Sequence, residues 1–118
     1  MKGMGRVAYR LARMSPAEIA IPAVVVYELE FGALGCGDPA RRRRELKRLT
    51  GAVSILAFDD RAADCAARLR YDLGQSDTAI GPMDLLIAAT ALAYGTKLVT
   101  HNTREFGRVP GLQVEDWF

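Results

Sequence analysis

Residues 81–106 read GPMDLLIAATALAYGTKLVTHNTREF, and this stretch decides the fold class. Gly81-Pro82 marks a helix start, because proline suits the first helical position, where its missing N–H would have no partner anyway. The apolar residues that follow predict a buried helix that ends at Gly95. Lys97–Thr100 then predicts a short strand, and polar residues follow it. Because sites in open α/β sheets lie just beyond the carboxyl ends of strands, we expect a site there, with Asp84 as the second contributor.

Size and composition indicate one soluble globular domain over residues 1–118. The net charge of +2 is too small to indicate a polyanionic partner by itself. The two cysteines, Cys36 and Cys65, form no CxxC motif and predict reduced thiols in a cytoplasmic protein. No apolar run is long enough for a membrane span, and no signal peptide is evident, so we expect no membrane association.

Helix-like and strand-like segments alternate along the rest of the chain. The valine run at 24–26 favours a strand locally, but Pro22 and the later ELEFGAL favour a helix. The predicted elements are a helix at 6–14, a strand at 19–21, helices at 23–34 and 39–49, a strand at 53–58, a helix capped by Asp59, and a final strand within 112–117. Gly51 is predicted to end the helix at 39–49. This order predicts an α/β fold with a parallel sheet flanked by helices.

Several acids could form a site, and each also has a plain structural explanation. Asp84 is explained by the helix dipole alone, since a first-turn carboxylate is stabilised there. Glu28 lies in an apolar helix and is either exposed to solvent or part of a site, with both readings open, whereas we expect Glu30 to face solvent. Asn102 and Glu105 are explained by turn chemistry. Considered together, oxygen ligands on two helices and a strand end are the donors that Mg²⁺ prefers.

Other catalytic chemistries have little support in the sequence. It contains no Gly-rich phosphate loop, no GxSxG motif and no Cys/His pair. The only histidine, His101, is a single surface-type residue, and we leave it out of the site. The residues therefore favour metal-assisted hydrolysis over nucleophilic catalysis.

Two segments carry a family resemblance over essentially the whole chain: VVVYELEFGA at 24–33 and GPMDLLIAATALAYGTKLVTHNTREFGRVPGLQVEDW at 81–117. They resemble the PIN-domain ribonucleases, and among these the VapC toxins of bacterial toxin–antitoxin pairs. The resemblance implies a PIN-like parallel sheet, a Mg²⁺ or Mn²⁺ cofactor and endonucleolytic cleavage of an RNA substrate. It also implies neutralisation by a cognate VapB-like antitoxin and a homodimer.

The same resemblance assigns the site residues. Glu28 is the acid of the family's "xEL" motif and Asp84 that of its "DLLIAA" motif, which makes both of them metal ligands and catalytic residues. Asn102 stands after the last core strand, where many PIN domains have Asp, and would hydrogen-bond to water on the metal. Glu105 is a catalytic candidate as a substitute or outer acid.

One departure from the family concerns its first strand. PIN domains open with an apolar strand that ends in Leu-Asp-Thr-Asn, and this sequence has no such motif. We therefore expect the first, central strand to be missing, with the loss of one metal carboxylate. This predicts weak or absent activity, and a dimer that exchanges elements as one way to complete the sheet. The alternative function is a non-catalytic PIN-like module that binds antitoxin or RNA.

Two further features concern partners. The run Arg41–Arg44 suggests contacts with RNA phosphates, although four consecutive residues point all round a helix and a solvated face explains them equally. An antitoxin tail would dock in an apolar groove, for which the N-terminal helix and the helix at 23–34 are the candidate walls.

Overall fold

The computed structural model describes residues 13–14, 19–75, 80–100 and 102–116. Its helices and strands in chain order are β1 (Ala20–Pro22), α1 (Ala23–Leu34), α2 (Pro39–Ala52), β2 (Ser54–Leu56), α3 (Asp60–Gln75), α4 (Pro82–Tyr94), β3 (Leu98–Val99), α5 (Thr103–Phe106) and β4 (Val114–Glu115). The predicted helix at 6–14 lies outside the described residues except for its last two. Within the described ranges, no helix combines the length and apolar character that a membrane crossing requires.

The strands form two separate parallel pairs. β1 pairs with β2, with Ala20 opposite Ser54, and β3 pairs with β4, with Leu98 opposite Val114. Parallel pairing between strands separated by helices is the predicted α/β arrangement. The single continuous sheet is not formed, because a strand that bonds to the inner edges of both pairs would be needed, and none of the described residues supplies one.

Helix α4 is the centre of the core. Its buried residues include Leu85, Ile87 and three alanines, and α3 forms the most extensive helix–helix contact with it. Small alanines let the neighbouring elements approach closely, which raises packing density. The buried hydroxyl of Thr90 donates to the carbonyl oxygen of Leu86 at 2.8 Å, so this polar group is satisfied within the helix. The core cluster is completed by Leu69, Leu73, Leu98, Phe106 and Val109.

The helix boundaries mostly follow the predicted capping signals. Gly95 ends α4 in the left-handed conformation at φ 66°, which glycine adopts without a steric cost. Asp59 accepts from the backbone N–H of Ala62 at 3.0 Å and caps α3, and this hydrogen bond holds the pKa of Asp59 below its usual range. Asp38 caps α2 in the same way, through the N–H of Arg41.

Three boundary predictions were wrong in detail. Helix α2 continues through Gly51 to Ala52, since a glycine inside a helix weakens it without ending it. β2 covers only Ser54–Leu56 of the predicted 53–58, because hydrogen bonding to β1 extends no further. The short helix α5 was missed, because the sequence signals a turn there and four residues carry too little periodicity.

Phe106 provides a direct test of the core. Its side chain is 4% exposed, whereas Phe31 on α1 is 70% exposed. We expect Phe106→Ala to lower the free energy of unfolding by about 3–5 kcal/mol, because it removes buried apolar area and leaves a cavity. The matched control Phe31→Ala should change it by no more than about 0.5 kcal/mol. Urea unfolding followed by circular dichroism measures both, and equal losses in the two variants would contradict this packing.

Candidate active site

Side chains from three helices and one strand end meet near the N-terminus of α4. Asp84 lies in the first turn of α4, half-buried, and Glu105 on α5 lies beside it. Asn102 precedes α5, where the chain leaves β3. Glu28 on α1 is exposed but close enough to interact electrostatically with Asp84. The structure therefore brings together the four residues that the sequence nominated.

Glu105 is anchored through both of its carboxylate oxygens. Oε1 accepts the backbone N–H of Gly81 at 2.7 Å, and Oε2 accepts Nδ2 of Asn102 at 3.0 Å. These hydrogen bonds favour the charged form and hold the pKa of Glu105 below its usual range, with the bond from Gly81 as the largest cause. Glu105 is thus a fixed negative charge at the start of α4.

Gly81 lies beside the two neighbouring carboxylates. A Cβ built at this position would lie 3.6 Å from Oε1 of Glu105 and 4.0 Å from Oδ2 of Asp84, which are ordinary van der Waals contacts. The backbone of Gly81, at φ −59°, is one that any residue adopts. The contribution of this position to the site is therefore its backbone N–H, and neither space nor conformation requires a glycine.

Asp84 has the opposite electrostatic character to Glu105. Burial raises the pKa of Asp84, and the negative charge of Glu105, a hydrogen bond to Glu105 and the charge of Glu28 raise it further. When Asp84 is protonated, it donates this hydrogen bond to the charged Glu105. Burial is thus the main cause of the raised pKa of Asp84, and the carboxylates of Glu105 and Glu28 add to it.

The two acids of α1, Glu28 and Glu30, have different surroundings, and those of Glu30 differ from the prediction. The expectation that Glu30 faces solvent was wrong: its side chain is 29% exposed and its Oε2 lies 3.2 Å from Nε of Arg43 on α2. Glu28 lies on another face of the same helix, toward Asp84. Glu30 therefore has a structural role between α1 and α2, which leaves Glu28 as the acid of this helix that is available to the cluster.

Sequence reasoning missed the backbone partners of the cluster. The N–H of Gly81 holds Glu105, and the N–H of Asn102 donates to Oγ1 of Thr100 at 3.0 Å. The Gly-Pro helix start was a usable signal for the first, because the initial N–H groups of a helix lack partners within it. His101, which the prediction left out, lies outside the described residues.

Comparison with known proteins settles the family. The model of the family described as "PIN domain" matches residues 5–112. The chain belongs to the PIN-domain family. This PIN domain is 32% identical, over 104 residues, to the tRNA(fMet)-specific endonuclease VapC of Salmonella typhimurium, a match that covers 88% of this chain and 79% of that protein. The predicted resemblance to VapC-type PIN domains is confirmed.

Two solved structures confirm the predicted fold class. The DNA-bound VapBC of Salmonella typhimurium matches with a TM-score of 0.80 and 33% identity, covering 84% of this chain and 75% of that chain. VapBC-1 of nontypeable Haemophilus influenzae matches with a TM-score of 0.83 and 29% identity, covering 94% and 84%. The PIN-domain α/β fold is therefore shared although the two strand pairs are separate here.

The acids of this PIN domain fit a divalent cation by donor type. Carboxylate and amide oxygens are hard ligands, and Mg²⁺ commonly binds one or two carboxylates and completes its shell with water and substrate. A preformed three-ligand cage is absent, since no three acids, histidines or cysteines in the described part of the chain converge closely enough. The carboxylates of Glu105 and Glu28 near Asp84 are the second feature that a cation would match.

Glu105→Gln tests the electrostatic coupling in the absence of metal. In EDTA we expect the pKa of Asp84 to fall toward its usual value, because a neighbouring negative charge is lost while burial remains. Glu30→Gln is the matched control and should leave the pKa of Asp84 unchanged, because Glu30 is paired with Arg43. Carbon-detected NMR titration of the side-chain carboxyls measures this. An unchanged pKa in Glu105→Gln would show that the two acids are not coupled.

Proposed function

We propose that this PIN domain is a VapC-type toxin: a Mg²⁺- or Mn²⁺-dependent endoribonuclease that a VapB-like antitoxin neutralises. The carrying observation is the pair of Asp84 and Glu105 at the start of α4, with the charge of Glu28 near enough to act on Asp84. The relationship to a tRNA(fMet)-specific endonuclease supports RNA as the substrate class. The same relationship supports hydrolysis as the reaction.

The proposed roles follow from the contacts of each residue. Asp84 and Glu28 would hold the cation, which when bound supplies a nucleophilic water at neutral pH and stabilises the leaving oxygen. Glu105, fixed by Gly81 and Asn102, keeps Asp84 in place through the hydrogen bond between the two carboxyl groups. In the structure the Nδ2 group of Asn102 is engaged by Glu105, so its role in this proposal is to position Glu105, in addition to the predicted contact with water.

A non-catalytic binding module is the second candidate. One observation favours it: no three acids, histidines or cysteines among the described residues form a group that could hold a metal ion. Without such a group, cation affinity should be low, and activity weak or absent. This candidate retains binding to antitoxin or RNA without cleavage.

Cleavage of a tRNA pool that contains initiator tRNA separates the two candidates. We expect cutting with Mg²⁺ or Mn²⁺ and none with EDTA, and Asp84→Asn should abolish it because a ligand carboxylate is lost. Glu105→Gln should reduce it about 10–100-fold, as for residues that orient a metal ligand. Asp60→Asn is the matched control, since it removes a first-turn carboxylate from α3 and should leave cleavage unchanged.

The outcomes of this assay are distinct. Cleavage that persists in EDTA or in Asp84→Asn would contradict the metal mechanism. Absence of cleavage by the unaltered chain with either metal would contradict the enzyme proposal and favour the binding module.

An exposed apolar surface on α1 supports the proposal that an antitoxin binds this PIN domain. Helix α1 exposes an apolar stripe of Tyr27, Phe31 and Leu34, which are 57%, 70% and 59% exposed. Their spacing of four and three residues places them on one helix face, as in helix-in-groove or helix-face recognition. The VapBC structures above are toxin–antitoxin complexes of related chains. This agrees with the predicted role of the helix at 23–34, whereas the other predicted wall lies outside the described residues.

Phe31→Asp tests this surface. We expect it to weaken binding of the cognate VapB-like antitoxin by at least about 30-fold, because a charge would be placed in an apolar contact. Gln113→Asp, an exposed change beside β4, is the control and should bind normally. Isothermal titration calorimetry measures the affinity, and size-exclusion chromatography of each chain alone monitors the homodimer. A shift from dimer to monomer with antitoxin affinity retained would assign the stripe to self-association.

The remaining proposals concern context. We propose that residues 1–118 act as one domain and form a homodimer. In an alternative form of this dimer, the two chains exchange structural elements. Its action is placed in the cytoplasm, where tRNA is found and where unpaired thiols such as Cys36 and Cys65 stay reduced.

A further inference from the structure

Helix α2 carries six basic residues, and the structure divides them into two groups. Arg41 and Arg42 lie near Glu45, and Arg43 is paired with Glu30. The other three, Arg44, Lys47 and Arg48, are exposed and have no ion pair within the described residues. We call these three the basic row.

The basic row lies on a single helix face. Positions i, i+3 and i+4 are neighbours on a helix surface, so the three cations repel one another and weaken the free helix. Arg44 and Arg48 are about 6 Å apart along the axis at the usual helical rise. The run Arg41–Arg44, whose side chains point all round the helix, is therefore not the set of residues that forms a single charged face. The structure singles out a different set from the same segment.

Two ordinary explanations account poorly for the basic row. A helix dipole attracts cations to the last turn, but α2 has no basic residue there. Solubility needs surface charge of either sign and is served equally by the paired arginines. A row of one sign at one face is instead complementary to a chain of negative charges.

The surroundings of the basic row also fit an anion. A surface groove of about 300 Å³ is lined by Arg41, Arg44, Glu45 and Arg48. The ion pair between Arg43 and Glu30 fixes α2 to α1, the helix that carries Glu28 of the acid cluster. The row therefore lies on a helix that packs against the helix carrying Glu28.

We infer that the basic row of Arg44, Lys47 and Arg48 is a docking surface for the phosphates of the RNA substrate, outside the acid cluster. This inference rests on the proposed function for the identity of the polyanion. Binding energy from such a remote contact holds the RNA while the acid cluster acts on one phosphodiester. The contact reads charge and not sequence, since phosphate contacts carry no base information.

The test compares two variants of equal charge. The row variant is Arg44→Gln, Lys47→Gln and Arg48→Gln. The paired variant is Arg61→Gln, Arg68→Gln and Lys97→Gln, whose side chains contact Tyr94, Asp64 and Glu115, so each variant loses three positive charges. Both are made in the Asp84→Asn background and assayed in EDTA, which removes cleavage from the readout. Fluorescence anisotropy with a labelled single-stranded RNA gives the affinity as a function of KCl concentration. Thermal melts check that both variants fold.

The row variant should bind RNA on the order of 10-fold more weakly, and its log–log salt slope should be about 2 less steep, because three phosphate contacts are lost. The paired variant should retain most of the affinity and slope. A third variant, Arg44→Lys with Arg48→Lys, keeps the charges and should keep the slope, which maintains the test if the row variant folds poorly.

Equal losses in the row and paired variants would overturn the inference, since net charge alone would then explain binding. Unchanged RNA binding in the row variant would overturn it as well. Polyglutamate serves as a second probe, and dependence of its binding on the row without dependence of RNA binding would assign the surface to an acidic protein partner. Row-dependent RNA binding by a chain that cleaves no RNA would support this inference while rejecting the enzyme proposal.

Discussion

The hydrogen bond from the N–H of Gly81 to Oε1 of Glu105 joins two parts of the chain that are 24 residues apart. The first N–H groups of a helix have no partner inside it, so an acceptor must come from elsewhere. By supplying that acceptor, Glu105 ties α5 to the start of α4 and places a second carboxylate beside Asp84. The geometry of the cluster follows from this contact, because Asn102 then orients the other oxygen of Glu105.

Acidic and basic side chains lie in different regions of the described structure. The acid cluster stands at the positive end of the dipole of α4, which offsets part of the repulsion between its carboxylates. Three exposed cations with no ion pair in the described part of the chain lie on α2, which the contact between Arg43 and Glu30 joins to α1. The net charge of +2 is therefore the sum over regions of opposite sign, an acidic region at the start of α4 and a basic region on α2.

The sequence predicted most of what local signals determine. The Gly-Pro start and Gly95 end of α4, the Asp59 cap and the helix at 23–34 were all found, and the resemblance nominated the four site residues that the structure brings together. The surroundings of Glu30 and the division of the α2 arginines were not predictable, because they depend on how α1 and α2 face each other. The separation of the strand pairs likewise depends on long-range hydrogen bonding, which no local pattern encodes.

The two-residue and three-residue strands have a consequence for how the chain folds. Such short pairs contribute few hydrogen bonds. The pairing of β1 with β2 also closes a long loop that contains two helices, and closing a long loop costs chain entropy. The contact between α3 and α4 joins helices that follow each other in the chain, and it is the most extensive contact among the described elements. Contacts between neighbouring segments form fastest, so we expect this helix pair to form before β1 pairs with β2.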